Sequence, residues 1–145
     1  MKEVDEDLKR LAVRKFTPVV AVDFDQTLAK GKFPEVADVN VGAVNLLREF
    51  QLAGGEVILW TCRNGRALAD AVAAVAELGL TFDAVNAEAP STLAWFTAAE
   101  GWSPKVFANL YVDDKSTGAG EVDWTAVAAD LSNLAGQQLR FTPVA

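Results

Sequence analysis

The sequence predicts an α/β fold, a three-layer α/β/α sandwich around a mostly parallel Rossmann-like sheet, in one domain spanning residues 1–145. Short apolar runs alternate with segments of helical periodicity along the chain, as strands and crossover helices do in such a sheet. The first run, Pro18 to Phe24, reads Pro-Val-Val-Ala-Val-Asp-Phe, continuous as in a strand buried on both faces. No linker, repeat or low-complexity tract interrupts the alternation.

In chain order, Val4, Leu8, Leu11 and Ala12 recur at helical spacing and predict a short amphipathic helix ahead of that strand. Val41, Val44, Leu47 and Phe50 mark a helix stopped by Gly54-Gly55, and a second strand is expected at Val57 to Trp60. Leu68, Val72, Val75 and Ala76 give a helix ending near Gly79, followed by a third strand at Phe82 to Val85. Leu93, Trp95 and Phe96 predict a helix opened near Pro90-Ser91, and Phe107 to Val112 a fourth strand. Trp124, Val127, Leu131 and Leu134 form a helical stripe with Asp123 placed as its N-cap, and Leu139 to Val144 is expected as an edge strand.

The 145 residues are 51% hydrophobic and 23% charged, ordinary for a globular protein with one core. A net charge of -7 argues against broad binding to nucleic acid or to an anionic membrane, since both need extended positive surface. The acidic start lacks the order of a signal peptide and no apolar run is long enough to span a bilayer, so a cytoplasmic protein is expected. With one cysteine, Cys62, and no histidine, there is no internal disulfide, cysteine cluster or imidazole base. Chemistry in this chain rests on carboxylates.

Ligands of such sheets bind beyond the C-terminal ends of the strands, so the polar residues there are the candidates. Asp23-Phe24-Asp25-Gln26-Thr27 follows the first strand, Thr61-Cys62-Arg63 the second, Lys105 precedes the fourth and Asp113-Asp114 follows it. Singly, each has an ordinary structural reading, as a turn residue, a strand-end β-branched residue or a solvated charge. Together they supply a nucleophile, a second carboxylate, a hydroxyl, a cation and an acidic pair to one crevice.

These residues are similar, in order and spacing, to the four motifs of the haloacid dehalogenase-like superfamily: Val22 to Thr27, Ile58 to Thr61, Lys105, and Tyr111 to Asp114. The resemblance covers nearly the whole chain and implies a phosphatase acting on a phosphorylated substrate through an aspartyl phosphate on Asp23. Asp25 would protonate the leaving oxygen and then deprotonate the attacking water, with crowding by neighbouring acids helping to raise its pKa. Four acids beside a phosphate ester repel it unless cations are present, and hard oxygen ligands suit Mg²⁺. By resemblance Asp23 and Asp113 give side-chain oxygens to that ion and Asp25 its backbone carbonyl, with Asp114 a ligand or an outer partner. Thr61 would hold a phosphoryl oxygen and Lys105 would neutralise Asp23 and the transferring group. Gln26 stands where the family very often has glycine, so an altered turn is expected there.

Between these motifs there is no room for a cap domain, which resembles members whose open site takes a large substrate or is covered by a neighbouring subunit of a homo-oligomer. Lys30 to Pro34 is the segment best placed for a partial lid, if it is not simply an ordinary strand-to-helix connection. Lys30, Lys32, Arg63, Arg66 and Lys115 are expected either to ring the mouth or to be solvated loop charges. Cys62 is expected as a small core residue, and Trp60, Trp95, Trp102 and Trp124 as core or interface residues rather than a base-stacking platform. A phospho-accepting receiver module would carry its acids, Thr and Lys in another order. A haloacid dehalogenase would need neither the acidic pair nor Asp25.

Overall fold

The computed structural model describes residues 17–96, 104–116 and 120–144, with the backbone alone for Trp95 and Phe96. Its strands are β1 (Val19–Val22), β2 (Glu56–Leu59), β3 (Ala84–Val85) and β4 (Leu110–Val112), and its helices α1 (Val41–Leu52), α2 (Gly65–Glu77), α3 (Pro90–Phe96) and α4 (Trp124–Ala135). The expected N-terminal helix lies outside the described residues, as does Trp102.

The strands form one sheet in the order β3-β2-β1-β4, and every pairing is parallel. All four residues of β1 are buried, as its continuous apolar run requires of the central strand. On one face Val20, Val22, Val57 and Leu59 pack with residues of α1, α2 and α4; on the other Val19, Ala21 and Ile58 pack with Ala89, Val106 and Ala108. Alternate residues of each strand thus feed opposite layers. The Asn40 carboxamide accepts from Ala43 N–H at the start of α1, and the Asp123 carboxylate from Ala126 N–H at the start of α4. After α1, Gly55 lets the Phe50 ring close on the backbone, since a Cβ there would lie 2.3 Å from a ring carbon.

β1, β3 and β4 are shorter than their apolar runs, β2 is shifted by one residue, and side chains extend the ladder at the starts of β1 and β2. At the start of β1, Asn109 N–H donates to Val19 O and the Asn109 carboxamide oxygen accepts from Val19 N–H at 2.8 Å. At the start of β2 the Asp83 carboxylate accepts from Val57 N–H at 2.7 Å.

The expected edge strand at Leu139 to Val144 is not a strand. Gly136 (φ 65°) ends α4 in a left-handed turn that sends the chain back over the helices. Leu139 is buried and its N–H donates to the Ser132 hydroxyl at 2.8 Å, Phe141 packs on Trp124 at 6.4 Å between centroids, and Thr142 O closes on Gly42. The apolar residues of this tail cover a helical layer rather than pair with the sheet. Among the described residues no helix is long and apolar enough to cross a membrane.

Candidate active site

From β1 the chain winds to β2 and β3 on one side, and β4 returns to β1's other edge, so the winding reverses between β1 and β4. In open parallel sheets this is where a crevice forms beyond the strand ends. Asp23 leaves β1 there, its N–H donating to Val112 O at 2.9 Å, and Asp113 and Asp114 leave β4 beside it. Carboxylate oxygens of Asp23, Asp113 and Asp114 lie within 4.8 Å of one another.

A tight turn built on Phe24 holds this arrangement. The Phe24 ring is fully buried and its carbonyl accepts from Thr27, Leu28 and Ala29 N–H groups, which brings Thr27 back over Asp23. The buried Thr27 hydroxyl donates to Asp23 Oδ2 at 3.1 Å and accepts from Asp114 N–H at 3.2 Å, tying the two strand ends together. Gln26, at φ 61°, supplies the left-handed residue of the turn, the conformation glycine adopts without strain. Lys115 N–H donates to Asp113 Oδ1 at 3.0 Å.

Burial pushes the Asp23 carboxyl up to about 6, with the Asp113 and Asp114 charges adding to it while hydrogen bonds from the Phe24 backbone and Thr27 pull the other way. A carboxyl whose folded pKa is raised binds more protons folded than unfolded, so its contribution to stability is present below the unfolded value of 3.8 and is lost as pH rises through about 6. Allowing for solvent screening of this partly exposed group, the loss is on the order of 1 kcal/mol. Without divalent cations, Asp23→Asn is therefore expected to unfold at a higher temperature than wild type at pH 7, by a few degrees, with the gap closing toward pH 4. Equal midpoints at both pH values would remove the strain assigned to Asp23.

The donor set fits a hard divalent cation. Oxygen ligands of octahedral Mg²⁺ lie about 3–4 Å apart, so the Asp23, Asp113 and Asp114 oxygens need little contraction to share one ion. Asp114 Oδ1 is buried without a hydrogen-bond partner, a costly state for a carboxylate oxygen that a cation relieves. Lys115 Nζ lies 3.8 Å from Asp114 Oδ2, but its side chain is 85% exposed and offsets little of that charge.

Asp25 has a partner that the sequence does not suggest. Its carboxylate is gripped by Arg63, with Nε donating to Oδ2 at 2.9 Å and Nη2 to Oδ1 at 2.7 Å. Nor is Arg63 a mouth cation, for it is only 3% exposed. Its remaining bonds go to the carbonyls of Pro34, Ala67 and Glu35. The guanidinium also lies between two rings, 4.9 Å from the Phe24 centroid and 5.1 Å from that of Phe33. The hydrogen bond to Asp25 holds Arg63 protonated still further above its ordinary range. Arg63 thus pins Lys30 to Pro34, part of a small hairpin closed by the Ala29–Val39 bridge and by Gly31 N–H to Ala37 O, against the residue expected to handle protons. The sequence carried no sign of this, since all but one of its partners lie 28 or more residues away.

Thr61 lies past the end of β2, and its hydroxyl accepts from Arg63 N–H at 3.1 Å. Lys105 is exposed, its ammonium 5.1 Å from the Tyr111 ring centroid. Lys30 is ion-paired with Glu121 and holds that carboxyl below its ordinary range, while Lys32 and Arg66 are exposed. Cys62 is exposed rather than in the core, because β2 ends at Leu59 and the chain has left the sheet by then. Trp124 is buried, and Trp60 packs against the second core cluster.

No protein-family model matches the sequence, and no curated protein matches it. The fold is similar to the solved structure of a conserved protein coded by a locus of Bacteroides thetaiotaomicron, with a TM-score of 0.68 and 30% identity, covering 81% of this chain and 91% of that one. At that identity and coverage the likeness extends beyond shared architecture, and the chain belongs to the same family as that conserved Bacteroides protein.

Proposed function

We propose that the protein is a Mg²⁺-dependent phosphatase of the haloacid dehalogenase-like type, hydrolysing a phosphate monoester through an aspartyl phosphate on Asp23. The observation that carries this reading is the convergence of Asp23, Asp113 and Asp114 at the β1/β4 switch point, with a buried Asp114 oxygen lacking a partner. The three carboxylates, with the Asp25 carbonyl, would hold the ion. When bound it offsets their mutual repulsion and that of the phosphoryl oxygens, and favours ionised Asp23.

In the first step an Asp23 oxygen attacks phosphorus, the bond to the leaving oxygen breaks, and the leaving oxygen keeps the electron pair and takes a proton from Asp25. In the second, Asp25 takes a proton from water as its oxygen attacks the same phosphorus, and the acyl phosphate breaks to free phosphate and restore the Asp23 carboxylate. Thr27 fixes the plane of the Asp23 carboxylate through its bond to Oδ2. Thr61, whose oxygen already accepts from Arg63 N–H, has its hydroxyl proton left to donate to a phosphoryl oxygen. Lys105 would turn from Tyr111 toward the transferring group. Since Arg63 occupies both oxygens of Asp25, the proton-transfer role requires Asp25 to turn away from Arg63 first.

Among the described residues, the chain between Thr27 and Thr61 forms the hairpin, α1 and β2, and that between Thr61 and Lys105 forms α2, β3 and α3. A phosphatase without a cap, as the short spacing of the motifs suggests, would suit a large substrate or a site completed by a second subunit.

The test is a panel of phosphate esters with and without Mg²⁺, joined to one variant. Asp25→Asn keeps the nucleophile but removes the proton donor and base, so with p-nitrophenyl phosphate it is expected to release up to about one equivalent of nitrophenol per site and then stall. Steady turnover at the wild-type rate would dismiss Asp25 from proton transfer. Hydrolysis of no ester in the panel would dismiss the phosphatase reading.

A further inference from the structure

We propose that Asn86 is the positioning residue for Thr61, its side chain forming the last rung of the sheet beneath the crevice. The main-chain ladder between β2 and β3 closes with Asn86 N–H donating to Leu59 O at 2.8 Å. Asn86 then adopts φ 51°, a left-handed turn that ends β3 after two residues and carries the main chain away. Its carboxamide stays behind. Asn86 Oδ1 accepts from Thr61 N–H at 2.8 Å and Asn86 Nδ2 donates to Thr61 O at 2.9 Å. Both main-chain groups of Thr61 are thus held by one side chain, at the point where β2 has lost its strand neighbour on that side.

On the other side Trp60 N–H donates to Val22 O at 2.8 Å, so the residue before Thr61 is fixed to β1. With the Thr61 hydroxyl oxygen accepting from Arg63 N–H, the main chain and the side-chain oxygen are both oriented. Asparagine suits this task. Its amide offers one donor and one acceptor side by side, and it tolerates the left-handed region better than most residues. Aspartate lacks the donor.

The kinetic meaning of this clamp rests on the phosphatase reading, but the clamp itself does not. Asn86→Gly keeps the left-handed turn and removes the carboxamide; Asn86→Asp keeps the size and acceptor and removes the donor. In the full chain, amide hydrogen exchange at Thr61 is expected to accelerate in Asn86→Gly, and less in Asn86→Asp, with the core strands unchanged. Affinity for inorganic phosphate in saturating Mg²⁺ is expected to fall about tenfold in Asn86→Gly, the scale of two exposed hydrogen bonds, and less than about twofold when the same change is made in a Thr61→Ala background. Unchanged Thr61 exchange, or equal losses of phosphate affinity in both backgrounds, overturns the proposal. Wild-type hydrolysis of p-nitrophenyl phosphate is read in parallel. A Thr61-dependent loss of phosphate binding without any hydrolysis would uphold the role of Asn86 and count against the phosphatase reading alone.

Discussion

Asp23→Asn is expected to reduce phosphate-ester hydrolysis to background, at least about 10⁴-fold, the scale on which enzymes lose activity with their nucleophile. The substitution keeps the size of the side chain and an oxygen that can accept from the Thr27 hydroxyl, which donates to Asp23 Oδ2 at 3.1 Å. What it removes is the charge and nucleophilicity of the oxygen that would attack phosphorus. Because burial and two acidic neighbours already raise Asp23 to about 6, the loss of activity should coincide with a gain in metal-free stability at neutral pH. An inactive variant that unfolds at a higher temperature than wild type identifies a functional charge rather than a structural one. Turnover near the wild-type rate, or a trapped phosphoryl group mapped to another residue, would move the nucleophile elsewhere.

The parts of this site legible in the sequence are those fixed by strand topology. A continuous apolar run such as Val19 to Val22 sits in the centre of a parallel sheet, so the acid after it falls at the crevice, and the same logic places Asp113 and Asp114. The unread parts depend on side chains doing the work of main chain or meeting partners far away in sequence. Arg63 has the composition of any surface arginine until the hairpin carbonyls of Pro34 and Glu35 and the Asp25 carboxylate surround it. Asn86 looks like an ordinary turn residue until its carboxamide meets Thr61. Leu139 and Phe141 are apolar for burial against α4 and Trp124, and a short apolar tract reads alike whether it covers helices or pairs in a sheet. Gln26 is a related case, since only the structure shows that this turn places it at a left-handed φ of 61°, a conformation that glycine adopts without strain.

Removal of the divalent cation, by chelator or by Asp113→Ala, is expected to abolish turnover, with at least about a thousandfold loss. Asp113 brings one of the three carboxylates that converge within 4.8 Å, and two acids without it hold a small hard cation poorly. The same change lessens the repulsion that Asp113 exerts on Asp23, so the metal-free variant should be no less stable than metal-free wild type at pH 7. The distinguishing measurement is therefore thermal unfolding against Mg²⁺ concentration. Wild type should gain about 2.7 kcal/mol at a hundred times the dissociation constant, the linkage expected of one ion that binds only the folded chain. Asp113→Ala should show little of that gain over the same range. Asp114→Asn, which leaves the buried Oδ1 position polar but removes the charge, should give an intermediate response. Full activity in excess chelator, or an undiminished Mg²⁺ response in Asp113→Ala, would mean that the three carboxylates gather for some purpose other than holding the ion, and the phosphoryl-transfer reading would lose the observation on which it stands.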